Sequence, residues 1–280
     1  MRRTISLWLG FVVVAAWVGW ANAQETAAGR PADRGPDPAE RAARVFDREH
    51  PFIEQAVRVG ERLTYSVRYG PIGAGTATIA VEGIEVVAGD SCYHVVTTAE
   101  SNGFVSTFFY VRDRVESYMR VADLRPRRFE KYLLEGNYQN ETVVEFDPRA
   151  HLASYSDGRI SEVLPGTHDV LSAFFDVRSR DLQVGDEVLL DCHVDRENYP
   201  LKTTVLRRER IEVPVGEFDC LAVEPILRTP GLFKHEGSLT IWFTADERKL
   251  PVKMSSKLPI GSISVVLVGV EGRPEWEGEQ

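Results

Sequence analysis

From residue 63 the chain alternates. Leu63, Tyr65, Val67 and Tyr69 are separated by Thr64, Ser66 and Arg68, the two-residue period of a strand with one face buried. Gly70-Pro71-Ile72-Gly73-Ala74-Gly75 is dense in turn formers. Beyond it Ala77, Ile79 and Val81 resume the alternation, which predicts a hairpin. The same pattern predicts further strands over 93–99, 108–112, 115–120, 129–134 and 138–146, and then over 188–194, 201–213, 218–227, 239–244, 252–257 and 263–270. Glu135-Gly136-Asn137, Asp147-Pro148, Gly185-Asp186, Val215-Gly216-Glu217 and Ala245-Asp246-Glu247 punctuate them. About a dozen short strands at this spacing specify an all-β, mainly antiparallel fold. The expected architecture is one large curved sheet, a β-roll or incomplete barrel, forming a single β domain over 59–272 with a tail at 273–280.

Two segments depart from that period. Over 168–178, Val170, Leu171, Phe174, Phe175 and Arg178 recur at helical spacing, and Thr167 or Asp169 can cap the start. This predicts one short internal helix, either packed against the sheet or covering an opening in it. Ahead of the sheet, 37–58 reads as a helical lead-in. Asp37 is a cap, Pro38 suits the first helical position and Glu40 completes a capping box, with the short helix ending before Pro51.

The first 36 residues change the picture of where the protein works. Arg2 and Arg3, the apolar run from Leu7 to Trp20, and Ala21-Asn22-Ala23 have the three parts of a secretory signal over 1–23. The apolar run is shorter than the roughly 20 residues a membrane span needs. Cleavage between Ala23 and Gln24 is expected, followed by a disordered linker over 24–36, rich in Ala, Gly, Pro and charge. No second long apolar run follows, so no transmembrane segment is expected in the mature chain. The expected location is periplasmic or extracellular.

Removing a leader that holds two Arg and no acid takes the formal net charge from −9 to −11. So acidic a chain does not attract nucleic acid by its overall field. Three Cys, at 92, 192 and 220, would meet an oxidising compartment; all lie in strand-like runs and read as buried thiols, with Cys192 and Cys220 the best-placed pair should one bridge form.

Candidate chemistry is sparse. There is no G-x-S-x-G elbow and no H-E-x-x-H. The glycine-rich 70–75 stretch joins two strands and does not open a helix, so it is a turn and not a nucleotide loop. No catalytic residue and no cofactor is assigned. Asp191, His193 and Asp195, alternate residues on one predicted strand, make a weak metal-binding pattern that reads better as a polar strand face. The aromatic pattern is more informative. Phe104, Phe108 and Tyr110 follow Ser101-Asn102-Gly103; Phe174 and Phe175 lie on the internal helix; Trp242 is out of phase with Leu239, Ile241 and Phe243. Trp242 is therefore either an exposed site or covered by a loop such as 229–233. Together these six are the predicted apolar ligand site.

Several stretches resemble the bacterial exported proteins grouped as domain of unknown function 3108. They are GERLTYSVRYGPIGAGTATIAVEG at 60–83, the Ser-x-Gly-x-x-Ser-x-x-Phe pattern over 101–109, VRDRVESY at 111–118 and LRPRRFEKYLLEGNY at 124–138. DVLSAFFDVRS at 169–179, VPVGEFDCLAVEP at 213–225 and LTIWFTADERKLPVKMSSKLPIGSISVVL at 239–267 complete the set. The resemblance implies an extracytoplasmic protein with a curved, roll-like antiparallel sheet, and it implies no activity and no site residues.

Three functions compete on this reading. First is a binding or carrier module for a lipid or other apolar or amphipathic envelope molecule. Second is a structural or assembly factor acting through contacts with envelope proteins. Third is an envelope-polymer hydrolase, which rests only on acids and histidines without a defined arrangement.

Overall fold

The computed structural model of the chain describes residues 50–227, 239–257 and 261–274. The predicted leader, linker and most of the helical lead-in lie outside the described residues, as does the loop at 229–233. The helix expected from Asp37 to before Pro51 falls outside them; the described part of the lead-in holds α1 (Ile53–Ala56).

Among the described residues fourteen strands form one antiparallel sheet. They are β1 (Arg62–Tyr69), β2 (Ile72–Val87), β3 (Asp90–Ser101), β4 (Arg112–Arg120), β5 (Pro126–Glu135), β6 (Tyr138–Asp147), β7 (Leu152–Tyr155), β8 (Ile160–Glu162), β9 (Glu187–Val194), β10 (Glu197–Val213), β11 (Gly216–Leu227), β12 (Leu239–Thr244), β13 (Pro251–Lys257) and β14 (Ser262–Glu271). Two short helices interrupt them, α2 (Gly103–Ser106) and α3 (Val170–Arg178).

The order across the sheet is β8-β7-β6-β5-β4-β3-β2-β1-β14-β13-β12-β11-β10-β9. The chain starts in the middle, meanders to one edge, crosses over, and meanders back from the other edge until β14 pairs with β1. Register shifts at Thr64/Tyr65, Val67/Arg68, Val81/Gly83, Tyr118/Met119, Val205/Arg207 and Trp242/Phe243 mark bulges. Bulges add bend and twist, which is how so wide a sheet curls.

The curl brings the two edge strands together without a ladder between them. Asn198 Nδ2 donates to the Glu162 carbonyl (2.8 Å), and the Arg196 amide donates to the Tyr155 hydroxyl (2.8 Å). Arg196 also pairs with Asp157 (2.7 Å), and Lys131 pairs with Asp195 (2.5 Å). The β9–β10 turn at this seam places Asp195 (φ 47°) and Arg196 (φ 74°) in left-handed conformation. Such a turn favours Asn-Gly, so the seam contacts hold a strained backbone in place.

Helix α3 fills part of the lumen. All nine of its residues are buried. Asp169, its cap, accepts from Ser117 Oγ on β4 (2.6 Å); Phe174 packs on Phe243 of β12 (ring centroids 5.5 Å); and Arg178 grips Glu61, just ahead of β1. Strands so far apart in the sheet order can share one helix only when it lies inside the curve. Leu63, Tyr65 and Val67 of β1 and Ile263, Val265 and Leu267 of β14 supply the apolar wall.

The cysteines are buried thiols and the candidate pair does not form. β10 lies between β9 and β11, and Cys92, Cys192 and Cys220 are all free, buried thiols. At the end of the 70–75 stretch a Cβ on Gly75 would collide with the Glu100 carbonyl oxygen, whereas Gly73 has space.

Candidate functional site

In a fully antiparallel sheet every odd-numbered strand ends at the same rim. The turns after β1, β3, β5, β7 and β9 therefore cluster there. Four exposed aromatic residues sit on this rim: Phe104 (67% exposed), Phe108 (79%), Tyr110 (40%) and Tyr138 (41%). Among the described residues no Phe, Tyr or Trp is exposed elsewhere. Ile72 and Ile160 extend the apolar row to the β1–β2 and β7–β8 turns.

The loop that carries the two Phe is anchored. Asn102 caps α2 by accepting from the Val105 amide (2.9 Å), and its Nδ2 donates to the Gly73 carbonyl (2.7 Å). Ser101 Oγ accepts from the Val111 amide (2.9 Å), and the Gly136 amide donates to the Tyr110 carbonyl (2.7 Å). Phe109 lies over Gly136, while Phe104 and Phe108 pair edge-to-face at 5.8 Å. The strand expected over 108–112 is thus a helical turn and loop, with β4 beginning only at Arg112. The Ser-Asn-Gly signal is a helix cap and not a bare turn. A fixed loop that holds two aromatic rings in water spends no stability on them, which is how binding surfaces are built.

The six predicted aromatic residues divide into three groups. Phe104, Phe108 and Tyr110 share the rim. Phe174 and Phe175 are in the core, 5.4 Å apart. Trp242 faces the opposite side of β12 from Ile241 and Phe243. It is covered by strand side chains: Nε1 donates to Glu209 (2.7 Å), and Lys253 Nζ lies 5.0 Å from the ring centroid.

The Asp191, His193, Asp195 pattern is dispersed by its partners. His193 is buried and uses both ring nitrogens within the protein, Nε2 with the Tyr155 hydroxyl and Nδ1 with Asn198 Oδ1, each at 2.8 Å. Burial lowers its pKa. Asp195 lies beyond the end of β9 and pairs with Lys131, and the Asp191 carbonyl accepts from the His168 amide (2.8 Å). Among the described residues no three His, Cys, Asp or Glu side chains gather as a metal site.

Sequence reasoning missed the polar groups inside the barrel. Ser172 Oγ lies 3.1 Å from His168 Nδ1, and His168 Nε2 lies 3.4 Å from Asp176. These are the residue types of a hydrolytic triad, but all three are fully buried. Ser172 Oγ is committed to the Asp169 amide in the capping box. Burial, with the charge of Arg125, lowers the His168 pKa to about 4, so the ring is neutral at pH 7. Against burial, the contact with His168 and then the Arg180 guanidinium 2.7 Å away hold the Asp176 carboxylate below its usual range. The group packs the helix and reaches no substrate.

Nearer the aromatic rim, Asp113 on β4 and Glu135 on β5 point inward and are buried together. The Leu134 amide donates to Asp113 Oδ1 (3.0 Å), and Glu135 Oε1 has no hydrogen-bond partner. Burial first and the neighbouring Glu135 carboxylate second raise Asp113 to about 8; burial raises Glu135 to about 7, opposed by Asp113 and Lys131. The two titrate as a pair holding a proton near neutrality. Their signal in the sequence was acids and a lysine at inward phase, Asp113 with Val115 and Lys131 between Phe129 and Leu133. Because the folded protein keeps protons that the unfolded chain releases near pH 4, stability falls as pH rises from about 4 towards 8. Asp113→Asn keeps the acceptor for Leu134 and offers an amide to Glu135. Its melting temperature should exceed that of wild type at pH 8, with the gap shrinking towards pH 5. Parallel melting curves across that range would show that the pair carries no shared proton.

A crevice of about 10 Å³ at the seam, between Lys131, Thr142, Val170 and His193, has room for about one water molecule.

A family model described as protein of unknown function (DUF3108) matches residues 64–268. No curated protein matches in sequence. Among solved structures, a β-barrel-like protein of domain of unknown function DUF1849 from Brucella abortus aligns over 77% of this chain and 99% of its own. The TM-score is 0.55 at 10% identity, a likeness of fold alone. A DUF1089 family protein from Pseudomonas aeruginosa aligns over 68% of this chain and 91% of its own, at TM-score 0.37 and 11% identity.

Proposed function

Since the chain belongs to the DUF3108 family, whose description names no reaction, function has to be read from this chain's own surface, and we propose that it is an extracytoplasmic binding module that engages an apolar or amphipathic partner with its aromatic rim. The observation that carries this reading is the confinement of every exposed aromatic among the described residues to one end of the barrel, on an anchored loop. Scattered exposed apolar residues are ordinary; a row of them along one rim is what recognition sites look like. The extracytoplasmic location rests on the leader pattern at 1–23.

The rim and not the lumen is the contact. Helix α3 occupies the space between β4, β9 and β12 that an enclosed carrier would keep for its cargo. The acid pair that a hydrolase would use, Asp113 with Glu135, is buried and shares its proton.

The test is titration with a fluorescent fatty acid below its micelle concentration. Wild type should enhance its emission, and Phe104→Ala with Phe108→Ala should weaken binding at least tenfold. Both rings are exposed, so the variant should melt within about 1–2 °C of wild type. Equal binding by the variant would remove the rim from the reading.

A further inference from the structure

We propose that the partner of the aromatic rim is the headgroup surface of a lipid bilayer, with Phe104 and Phe108 entering the boundary between headgroups and acyl chains. This rests on the rim reading above and goes further by naming what the rim meets.

Size is the first argument. The apolar tips lie on four successive hairpin turns, from Ile72 between β1 and β2 to Ile160 between β7 and β8. Six strand spacings separate these turns, about 29 Å along the rim at about 4.8 Å per strand. A single small amphiphile cannot touch tips so far apart, whereas a bilayer meets them together. The tips are exposed on separate turns of one rim, which suits a broad surface better than a threaded ligand.

Charge is the second. The protein is acidic overall, yet three of the four turns pair an apolar tip with an arginine: Arg68 near Ile72, Arg112 beside Tyr110, and Arg159 next to Ile160. Arg112 and Arg159 side chains are each 67% exposed. Their acidic neighbours are also exposed, Glu100 at 3.4 Å and Asp157 at 3.5 Å, and such pairs hold weakly enough to exchange for phosphate. Arg68 Nη2 donates to the Pro71 carbonyl (2.6 Å), which sets its guanidinium over the turn. Phe to enter, Tyr to straddle and Arg to meet phosphate is the set of side chains that anchors proteins at the water–lipid interface. Phosphate is present on zwitterionic lipids too, so the acidic net charge of the chain does not oppose contact through this rim.

The experiment is flotation of the mature protein with phosphatidylcholine vesicles, repeated with vesicles containing phosphatidylglycerol. Wild type should rise with both. Phe104→Ser with Phe108→Ser should lower the bound fraction at least tenfold, and Arg112→Gln with Arg159→Gln should lower it several-fold on either vesicle. A second readout needs no loss of binding: Phe108→Trp should shift its emission to the blue when vesicles are added. Wild type that stays at the bottom with every vesicle, while still binding the monomeric fatty acid, overturns the bilayer as partner and leaves the rim reading standing. Flotation unchanged in the double serine variant, or no blue shift at position 108, places the membrane contact elsewhere and also overturns it. Failure with both vesicles and fatty acid brings down the two readings together.

Discussion

Glu61→Gln should destabilise the protein by about 3–5 kcal/mol, the cost of breaking a buried ion pair on one side. Glu61 precedes β1 and is buried between two arginines. Arg178, the last residue of α3, donates to both carboxylate oxygens at 2.7 and 2.9 Å, and Arg273, beyond β14, grips the same carboxylate. Each guanidinium has a backbone carbonyl as well, Lys249 for Arg178 (3.0 Å) and Gln55 for Arg273 (2.7 Å). Glutamine preserves shape and removes the negative charge that both buried guanidinium groups face. Denaturant melts at pH 7 measure the loss. Adding Arg178→Met to the glutamine variant should restore part of it by removing a buried charge that no longer faces a carboxylate. A loss below about 1 kcal/mol would mean that water reaches the cluster.

Phe175→Ala should cost about 3–5 kcal/mol through the cavity it leaves. The ring is fully buried, packs edge-on against Phe174, and lies 5.5 Å below the Arg178 guanidinium, so its loss also loosens the helix end that holds Glu61. Phe108→Ala, on the rim, should stay within about 0.5 kcal/mol of wild type. The contrast separates core from contact surface within the aromatic set that sequence pattern had grouped. Two similar values would mean that Phe108 packs as core or that Phe175 faces space.

Strands were legible wherever one face is buried, because side-chain direction then imprints a period of two. β1 shows it plainly, with Leu63, Tyr65 and Val67 buried in alternation. The pattern fails where burial is not alternating. Phe108-Phe109-Tyr110 read as a strand because apolar runs imply burial, yet Phe108 and Tyr110 face water. β7 and β8, four and three residues long, are too short to show a period and were not anticipated. The internal helix was legible from its spacing, but not its place inside the sheet. The interior charges were invisible for another reason: Glu61 is 117 residues from Arg178 and 212 from Arg273, and nothing local marks such partners.

The ladder between β1 and β14 bears on the order in which the protein can fold. Arg62 pairs with Glu271, and Tyr69 with Ile263. The loop that must close is almost the whole described chain, and pairings this distant form slowly. Until 262–271 arrives, β1 has β2 on one side and an open edge on the other, with the apolar row Leu63, Tyr65 and Val67 uncovered. Glu61 also waits for Arg273. An unpaired apolar edge is where chains aggregate. A chain made from its N-terminus delivers the mending strand long after β1, and the first half has to be kept from self-association until then.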